Sequence, residues 1–321
     1  MRSRCGCSRG GQMYDEELLT HVEEVRRLSL SMIEGFGDGS VVLSRPTIEA
    51  GRSPDSYAKV EAAFDRTISG PGGPLRLRIM VPAGEIAGVY LHLHGGGFTT
   101  GAPEMDDEEN WSIATGAGLA VVSVDYRLAP EHPFPAGPDD AEAAAVWLLE
   151  CAAAEFGTET LCIGGSSAGA NLSAITLLRV RDHHDAIERF CAANLAYGGF
   201  DMSGTPSARL ADPRTPLLTP LMTRTYRDYY LPDSNGEDRR RPTISPLFAD
   251  LRGMPPALFT VGSADPYLDD SLFMSRRWEA AGNEARLDLY PEAPHGFTIL
   301  PCAMRDIARR RMAGFLSEVL A

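Results

Sequence analysis

The chain has 321 residues, of which 44% are hydrophobic and 23% are charged, a composition typical of a globular enzyme. Its formal net charge of −14 disfavours nucleic acids and anionic membrane surfaces as partners, because both require a basic face. No stretch approaches the ~18 consecutive apolar residues of a membrane span. We therefore expect no nucleic-acid partner and no membrane partner.

Residues 1–13 are rich in Arg, Cys and Gly and have no structural pattern. No apolar segment follows the arginines, as it would in a signal peptide. We interpret these residues as a disordered leader, with Met13 as a candidate natural start, and we expect a reduced, cytoplasmic protein. The cysteines lack metal-ligand spacing, which favours free thiols and no metal site. They are Cys5, Cys7, Cys151, Cys162, Cys191 and Cys302.

The N-terminal part predicts helices. Apolar residues recur at steps of three and four over 14–32, and the glycines at 35–39 would end that helix. The segment 41–54 is irregular, and a short helix is predicted over 56–65. We assign 14–65 to the N-terminal helices of a cap.

From residue 75 onward, predicted strands alternate with helices. This order is typical of right-handed βαβ units and a largely parallel sheet, which we assign to a catalytic domain over 66–321. The predicted strands are 75–81, 88–94, 119–125, 160–164, 191–198, 256–262 and 286–290, and the predicted helices are 138–156, 167–181, 267–281 and 304–320.

One segment interrupts this alternation. Residues 202–242 are rich in Pro, Thr and Arg and contain a predicted helix over 217–230. An insertion that follows a strand in this way would lie over the carboxyl ends of the strands, where α/β proteins place their active sites. We interpret it as a cap insertion.

The sequence Gly-Ser-Ser-Ala-Gly at 165–169 has the G-x-S-x-G form and lies between a predicted strand and a predicted helix. In that context the motif forms a sharp turn that exposes its central serine. Ser167 is therefore the candidate nucleophile, which needs an adjacent base to become reactive. The competing Ser166 lies one residue early, where the turn would point it away from the substrate.

His295, in the sequence PHGF, is the candidate general base because it follows the last predicted strand in a loop that can reach Ser167. Asp265 is the candidate acid that orients the histidine, since it closely follows the strand ending at Gly262. Asp269 and Asp270 are alternatives, although acidic residues in the first turn of a helix usually serve the helix dipole.

The sequence HGGGF at 94–98 ends a predicted strand ahead of the serine turn. Consecutive glycines are compatible with a flexible turn, but they also let backbone N–H groups point into a site unobstructed. We expect the N–H groups of Gly96, Gly97 and Ala168 to form an oxyanion hole.

Together, five motifs resemble the hormone-sensitive-lipase family of esterases, the bacterial family IV carboxylesterases of the α/β-hydrolase superfamily. They are HGGGF, DYRLAPEHPFPA (125–136), GGSSAGAN (164–171), DPYLDD (265–270) and PHGF, and the match covers residues 75–321.

The resemblance implies a mostly parallel sheet of about eight strands flanked by helices, a helical cap, hydrolysis of short-to-medium acyl esters, and no cofactor. It also implies a homodimer and the catalytic triad Ser167, Asp265 and His295, with Gly96, Gly97 and Ala168 as donors.

The chain departs from the family pattern at two positions. Ser166 replaces the usual Asp or Thr, which leaves the subfamily open. Ala170 stands where a second glycine is usual, which adds a methyl group to the first turn of the helix.

The substrate is expected to be a small uncharged ester. The motifs leave two alternatives open: a specialised amidase or deacetylase of a secondary metabolite, and a ligand-binding receptor. The receptor is disfavoured because the plant hormone receptors that resemble these esterases have lost the catalytic histidine, whereas His295 is present here. Candidate residues lining the pocket, which could equally be packing residues, are Phe98, Trp111, Tyr197, Phe200, Leu217, Leu218 and Met222.

Overall fold

The computed structural model describes residues 14–36 and 45–321. The expected leader over 1–13 lies outside these residues. So do most of the glycine-rich helix end and the beginning of the segment 41–54. The prediction that this segment is irregular is wrong for its described part, which contains a helix over Arg45–Ala50.

Three short helices open the described chain: α1 (Glu16–Leu19), α2 (Val22–Phe36) and α3 (Arg45–Ala50). The single helix predicted over 14–32 is divided by a turn at Thr20 and His21. Leu18 and Val25 are buried in a hydrophobic cluster that they share with residues of the C-terminal helix. Helices α1 and α2 therefore pack in the same cluster as the C-terminal helix.

The prediction of a helix over 56–65 is wrong. That region holds one 3₁₀ turn at Pro54–Ser56, and strand β1 begins at Ala63. β1 has no fully buried residue and half of its residues are exposed, as expected for a strand at the edge of the sheet. The sheet therefore starts three residues before the expected boundary of the catalytic domain at 66.

The predicted mostly parallel sheet of about eight strands is confirmed. Its order is β1-β2-β4-β3-β5-β6-β7-β8, with β1–β2 and β2–β4 antiparallel and all other pairs parallel. The strands are β1 (Ala63–Gly70), β2 (Gly73–Met80), β3 (Gly88–Leu93), β4 (Leu119–Val124), β5 (Leu161–Ser166), β6 (Phe190–Ala196), β7 (Ala257–Gly262) and β8 (Ala285–Tyr290).

Helices cover both faces of the sheet, and each face has its own hydrophobic cluster. Strands β3 to β7 are therefore almost completely buried, as expected for parallel strands between two helical layers. The helices are α4 (Asp107–Ala117), α5 (Ala136–Phe156), α6 (Ala168–His184), α7 (Pro206–Leu210), α8 (Pro220–Tyr230), α9 (Leu268–Ala280) and α10 (Ala303–Leu320).

Helix α4 was not predicted, because its buried face is partly polar. Asp107, Glu109 and Asn110 are all buried on it, which breaks the apolar periodicity that identifies a helix. Over the residues that the structure describes, we find no helix with both the length and the apolar character needed to cross a membrane.

Candidate active site

Ser167 lies on the turn between β5 and α6. Its backbone has φ 54° and ψ −115°, an unfavourable conformation for a residue with a side chain, and its N–H donates to the carbonyl oxygen of Ala196 at 2.9 Å. This turn is the sharp strand-to-helix connection expected from the motif. It places the Ser167 hydroxyl in a cleft at the carboxyl ends of the central strands.

The two glycines that flank this turn are required by close packing. A Cβ atom at Gly165 or at Gly169 would collide with the carbonyl oxygen of Leu93, the last residue of β3. The motif therefore has glycine at these two positions because the turn lies very close to the neighbouring strand.

His295 lies between Ser167 and Asp265. Its Nε2 atom is 2.9 Å from the hydroxyl oxygen of Ser167, and its Nδ1 atom is 3.0 and 2.9 Å from the two carboxylate oxygens of Asp265. His295 and Asp265 are both buried, while Ser167 is half-buried. The structure thus brings together the three residues that the sequence proposes as nucleophile, base and acid.

The two competing carboxylates point elsewhere. Asp270 accepts hydrogen bonds from the N–H groups of Phe200 and Asp201 at 2.7 and 2.8 Å. Asp269 accepts one from the N–H of Ser207 at 2.8 Å. Both therefore fix the chain that follows β6, and neither contacts His295 in the described structure.

The glycine loop after β3 has a left-handed backbone conformation at two of its glycines. Gly96 and Gly97 have φ values of 108° and 60°, and Gly96 closes a turn by accepting hydrogen bonds from the N–H groups of Thr99 and Thr100 at 3.1 and 2.9 Å. The ring of Tyr226 covers Gly97 so closely that any side chain there would collide with it. The N–H groups of Gly96, Gly97 and Ala168 have no acceptor among the described residues, so they are free for a ligand.

The segment 125–136 supports this loop. The Tyr126 hydroxyl donates to the carbonyl oxygen of His94 at 2.7 Å, and the two rings stack with centroids 4.2 Å apart. The N–H of Ala129 donates to the carbonyl oxygen of Phe98 at 2.8 Å. Burial lowers the pKa of His94 to about 4, which keeps its imidazole neutral. His94 therefore shapes the loop.

The cleft has a volume of about 220 Å³ and a largely apolar wall. Of the seven predicted lining residues, Phe98, Tyr197, Leu217 and Leu218 form part of the wall.

The other three predicted lining residues do not line the cleft. Phe200 is fully buried in the core, where its ring packs edge-on against Phe259 at 6.1 Å. Trp111 packs against the hydrophobic cluster on the other face of the sheet. Met222 lies on α8, outside the wall of the cleft. Aromatic or apolar character alone could not separate these packing positions from the wall.

Several wall residues were missed. Tyr226 and Arg227 come from α8, and Tyr267 packs edge-on against His295 with ring centroids 5.4 Å apart. Met105 and Asp106 enter from the 3₁₀ turn that precedes α4. The helical periodicity over 217–230 could have indicated which face of α8 lines the cleft. The other missed residues meet at the cleft only because distant segments fold together, and such contacts leave no local sequence pattern.

Within the described ranges, one group of residues has metal-ligand types with atoms within 4.8 Å of one another: Glu142, His183 and His184. It lies outside the cleft, and Arg179 also donates to Glu142, at 2.9 Å. We interpret it as an ion-paired network between α5 and α6.

This sheet, with a serine on the turn after a central strand, defines an α/β protein of the hydrolase class. Residues 90–299 match the family described as the α/β hydrolase fold. The chain belongs to the α/β-hydrolase fold family, and within it is similar to hormone-sensitive-lipase-like esterases, as its motifs predict.

Two relatives from Mycobacterium tuberculosis have esterase names. The carboxylic ester hydrolase LipN is 34% identical over 284 residues, which cover 84% of this chain and 74% of LipN. The carboxylesterase NlhH is 34% identical over 228 residues, which cover 69% of this chain and 71% of NlhH.

Solved structures of esterases are also similar to this chain. An esterase from Pyrobaculum calidifontis has a TM-score of 0.75 and 30% identity, with 95% of this chain and 94% of that protein covered. A hormone-sensitive lipase from a metagenome library has a TM-score of 0.78 and 27% identity, with 92% and 98% covered.

Proposed function

We propose that the protein is a serine carboxylesterase that hydrolyses short-to-medium acyl esters through an acyl-enzyme intermediate. The observation that carries this proposal is the position of His295, whose two ring nitrogens contact the Ser167 hydroxyl and the Asp265 carboxylate. One imidazole can therefore take the serine proton while it is held in a single tautomer.

In the first half-reaction, Ser167 attacks the ester carbonyl carbon and His295 takes the hydroxyl proton. The tetrahedral intermediate places its oxyanion against the N–H groups of Gly96, Gly97 and Ala168. When it collapses, the ester C–O bond breaks and His295 gives the proton to the leaving alcohol.

In the second half-reaction, His295 takes a proton from the water molecule that attacks the carbonyl carbon of the acyl-enzyme. The bond between that carbon and the Ser167 oxygen then breaks, His295 returns the proton to this oxygen, and the acid is released. The Asp265 carboxylate stabilises the imidazolium that forms in each half-reaction.

The volume and the apolar character of the cleft indicate the kind of substrate that fits. A largely apolar space of about 220 Å³ lies below the range of about 300–1,000 Å³ that is usual for drug-sized ligands, which favours a small uncharged ester. Relatives named acetyl esterase, 29% identical over 255 residues, also favour short acyl groups.

We propose that 202–242 acts as the cap. This segment contributes Met202, Gly204, Ala208, Leu217, Leu218, Thr223, Tyr226 and Arg227 to the wall of the cleft. Among the described residues before 66, none lines the cleft, so the assignment of 14–65 to the cap stays a prediction.

A reducing, cytoplasmic location and a homodimer also remain proposals. The sulfur atoms of Cys162 and Cys191 lie 3.3 Å apart as free thiols, which suits a reducing compartment. Light scattering on the purified chain tests the dimer, and fractionation of the source cells tests the location.

The function is tested by trapping the nucleophile. An alkyl phosphonate ester should add one phosphonyl group to the wild-type protein, and mass spectrometry of its peptides should place the group on Ser167. Ser166→Ala should react like the wild type, and Ser167→Ala should not react. A label on Ser166, or none on the folded protein, would contradict the proposal.

A further inference from the structure

Tyr197 lies beside the triad and has no place in the mechanism above. It follows strand β6 directly, is only 3% exposed, and forms part of the cleft wall. Its backbone has φ 37°, an unfavourable conformation for a residue with a side chain. Residues held in such conformations are concentrated at functional sites, where the surrounding contacts compensate for the strain. The contacts that hold Tyr197 in this conformation therefore indicate its role.

The order of the strands places Tyr197 between the members of the triad. Strands β5, β6, β7 and β8 are neighbours in the sheet, and all three pairs are parallel. Ser167 follows β5, Asp265 follows β7 and His295 follows β8. The end of β6 therefore lies between the strand that carries the nucleophile and the two strands that carry the acid and the base.

The backbone at the end of β6 is bonded on both sides. The carbonyl oxygen of Ala196, the last residue of β6, accepts a hydrogen bond from the N–H of Ser167 at 2.9 Å. The N–H of Tyr197 donates to the carbonyl oxygen of Thr260, which lies on β7, at 2.6 Å. The end of β6 is thus fixed to the turn of the nucleophile on one side and to β7 on the other.

The side chain of Tyr197 reaches the loop that carries the general base. Its hydroxyl shares a 2.6 Å hydrogen bond with the hydroxyl of Thr298, which is fully buried and lies three residues after His295. Its ring packs edge-on against the His295 imidazole, with centroids 5.1 Å apart, and against the Phe297 ring at 6.1 Å. Burial raises the pKa of Tyr197 well above its ordinary value, so the phenol is uncharged at neutral pH.

Asp265 holds only one side of the His295 imidazole. Its carboxylate contacts Nδ1, while the reacting Nε2 atom lies 2.9 Å from the Ser167 hydroxyl oxygen. The chain after the histidine continues through Gly296, in a left-handed conformation, into the 3₁₀ turn Phe297–Ile299. An anchor on that turn matters because a misplacement of about 1 Å between reacting groups can cost about 100-fold in rate.

We propose that Tyr197 is a positioning residue for the general base. Its hydroxyl ties the end of β6, to which the Ser167 turn is bonded, to Thr298 in the loop of His295. The link sets the separation between the serine oxygen and the histidine nitrogen. This inference rests on the proposed esterase function. It gives Thr298 a part in the same link, and neither hydroxyl takes part in bond making or in proton transfer.

Four substitutions test this link. Tyr197→Phe keeps the ring contacts with His295 and Phe297 but removes the hydrogen bond. Thr298→Val removes the partner hydroxyl at nearly constant volume, whereas Thr298→Ser retains it. Tyr290→Phe is the matched control, since the Tyr290 ring also packs against Phe297, at 4.7 Å, but its buried hydroxyl has no hydrogen-bond partner among the described residues.

The experiment measures kcat and KM on p-nitrophenyl butyrate at neutral pH, well below the Tm of each variant. Tyr197→Phe and Thr298→Val should each lose about tenfold or more in kcat, with KM changed by less than about twofold, because the base is displaced while the cleft wall is kept. Thr298→Ser and Tyr290→Phe should keep kcat within about threefold of the wild type. The double variant Tyr197→Phe, Thr298→Val should lose no more than about twice as much as either single variant, since both remove one bond.

A merely structural role predicts another pattern, in which the variants lose Tm while kcat stays at the wild-type value. Wild-type kcat in Tyr197→Phe, or a loss in Thr298→Ser as large as in Thr298→Val, would overturn the proposal. Losses that multiply in the double variant would also overturn it, because the two hydroxyls would then act independently. If Tyr197→Phe does not fold, the comparison of Thr298→Val with Thr298→Ser decides.

Failure of the esterase function would look different. If the folded wild type hydrolyses no ester, the proposed function fails, and the positioning role is then tested by crystal structures of the wild type, Tyr197→Phe and Tyr290→Phe. The distance between His295 Nε2 and Ser167 Oγ should lengthen by about 0.5 Å or more in Tyr197→Phe and stay unchanged in Tyr290→Phe. An unchanged distance in Tyr197→Phe would overturn the inference.

Discussion

The hydroxyl of Tyr126 donates a 2.7 Å hydrogen bond to the carbonyl oxygen of His94, and the Tyr126 ring stacks on the His94 imidazole at 4.2 Å. Both residues are buried. This pair joins the segment 125–136 to the start of the glycine loop, so two separate sequence motifs form one support for the proposed oxyanion hole.

Tyr126→Phe tests that support. The ring and its stacking remain, but the buried carbonyl group of His94 loses its donor, which should cost about 1–3 kcal/mol in the free energy of unfolding. We expect kcat on p-nitrophenyl acetate to fall about tenfold with little change in KM, because the oxyanion donors shift. Unchanged kcat with reduced stability would show that the pair supports only the fold.

The elements predicted correctly are those whose burial leaves a simple pattern. β4 is buried on both faces and is a continuous apolar run, LAVVSV. β1 was missed because it is an edge strand with half its residues exposed, and α4 was missed because Asp107, Glu109 and Asn110 face inward. In both cases tertiary packing decides the structure and local preference does not.

The residues of the candidate site also differ in whether a local sequence pattern indicates them. Ser167 and the glycine loop lie in motifs whose local geometry suits the proposed function, so the sequence indicates them directly. Tyr226 belongs to another segment and covers Gly97 only in the folded chain. Its position depends on a contact that no local sequence pattern encodes.

Gly169 and Ala170 make a matched pair of adjacent helix positions. Gly169→Ala should destabilise the protein by about 3 kcal/mol or more, since the new Cβ atom would collide with the Leu93 carbonyl oxygen. Ala170→Gly should cost only about 1 kcal/mol, the helix-propensity difference, and should retain activity. Urea unfolding of both variants measures this. Equal losses would show that the turn is not as tightly packed against β3 as described.

Substitutions of Asp265 and Asp270 test which of the two carboxylates is the catalytic acid and which is structural. Asp265→Asn should lower kcat about 10⁴-fold with the fold intact, because an amide at this position favours the wrong histidine tautomer. Asp270→Asn should lower stability by about 1–3 kcal/mol, since it weakens the acceptor for Phe200 and Asp201, and should change kcat far less. The reverse pattern of kcat losses would assign the acid to Asp270.

The central claim is that Ser167 is the nucleophile of an esterase. It is tested most directly by initial rates on p-nitrophenyl esters from acetate to laurate, for the wild type, Ser167→Ala and Ser166→Ala. We expect rapid hydrolysis of the short esters by the wild type, activity within about tenfold of it for Ser166→Ala, and a loss of about 10⁴-fold or more for Ser167→Ala. Wild-type rates in Ser167→Ala, or no hydrolysis of any ester by the folded wild type, would contradict the account.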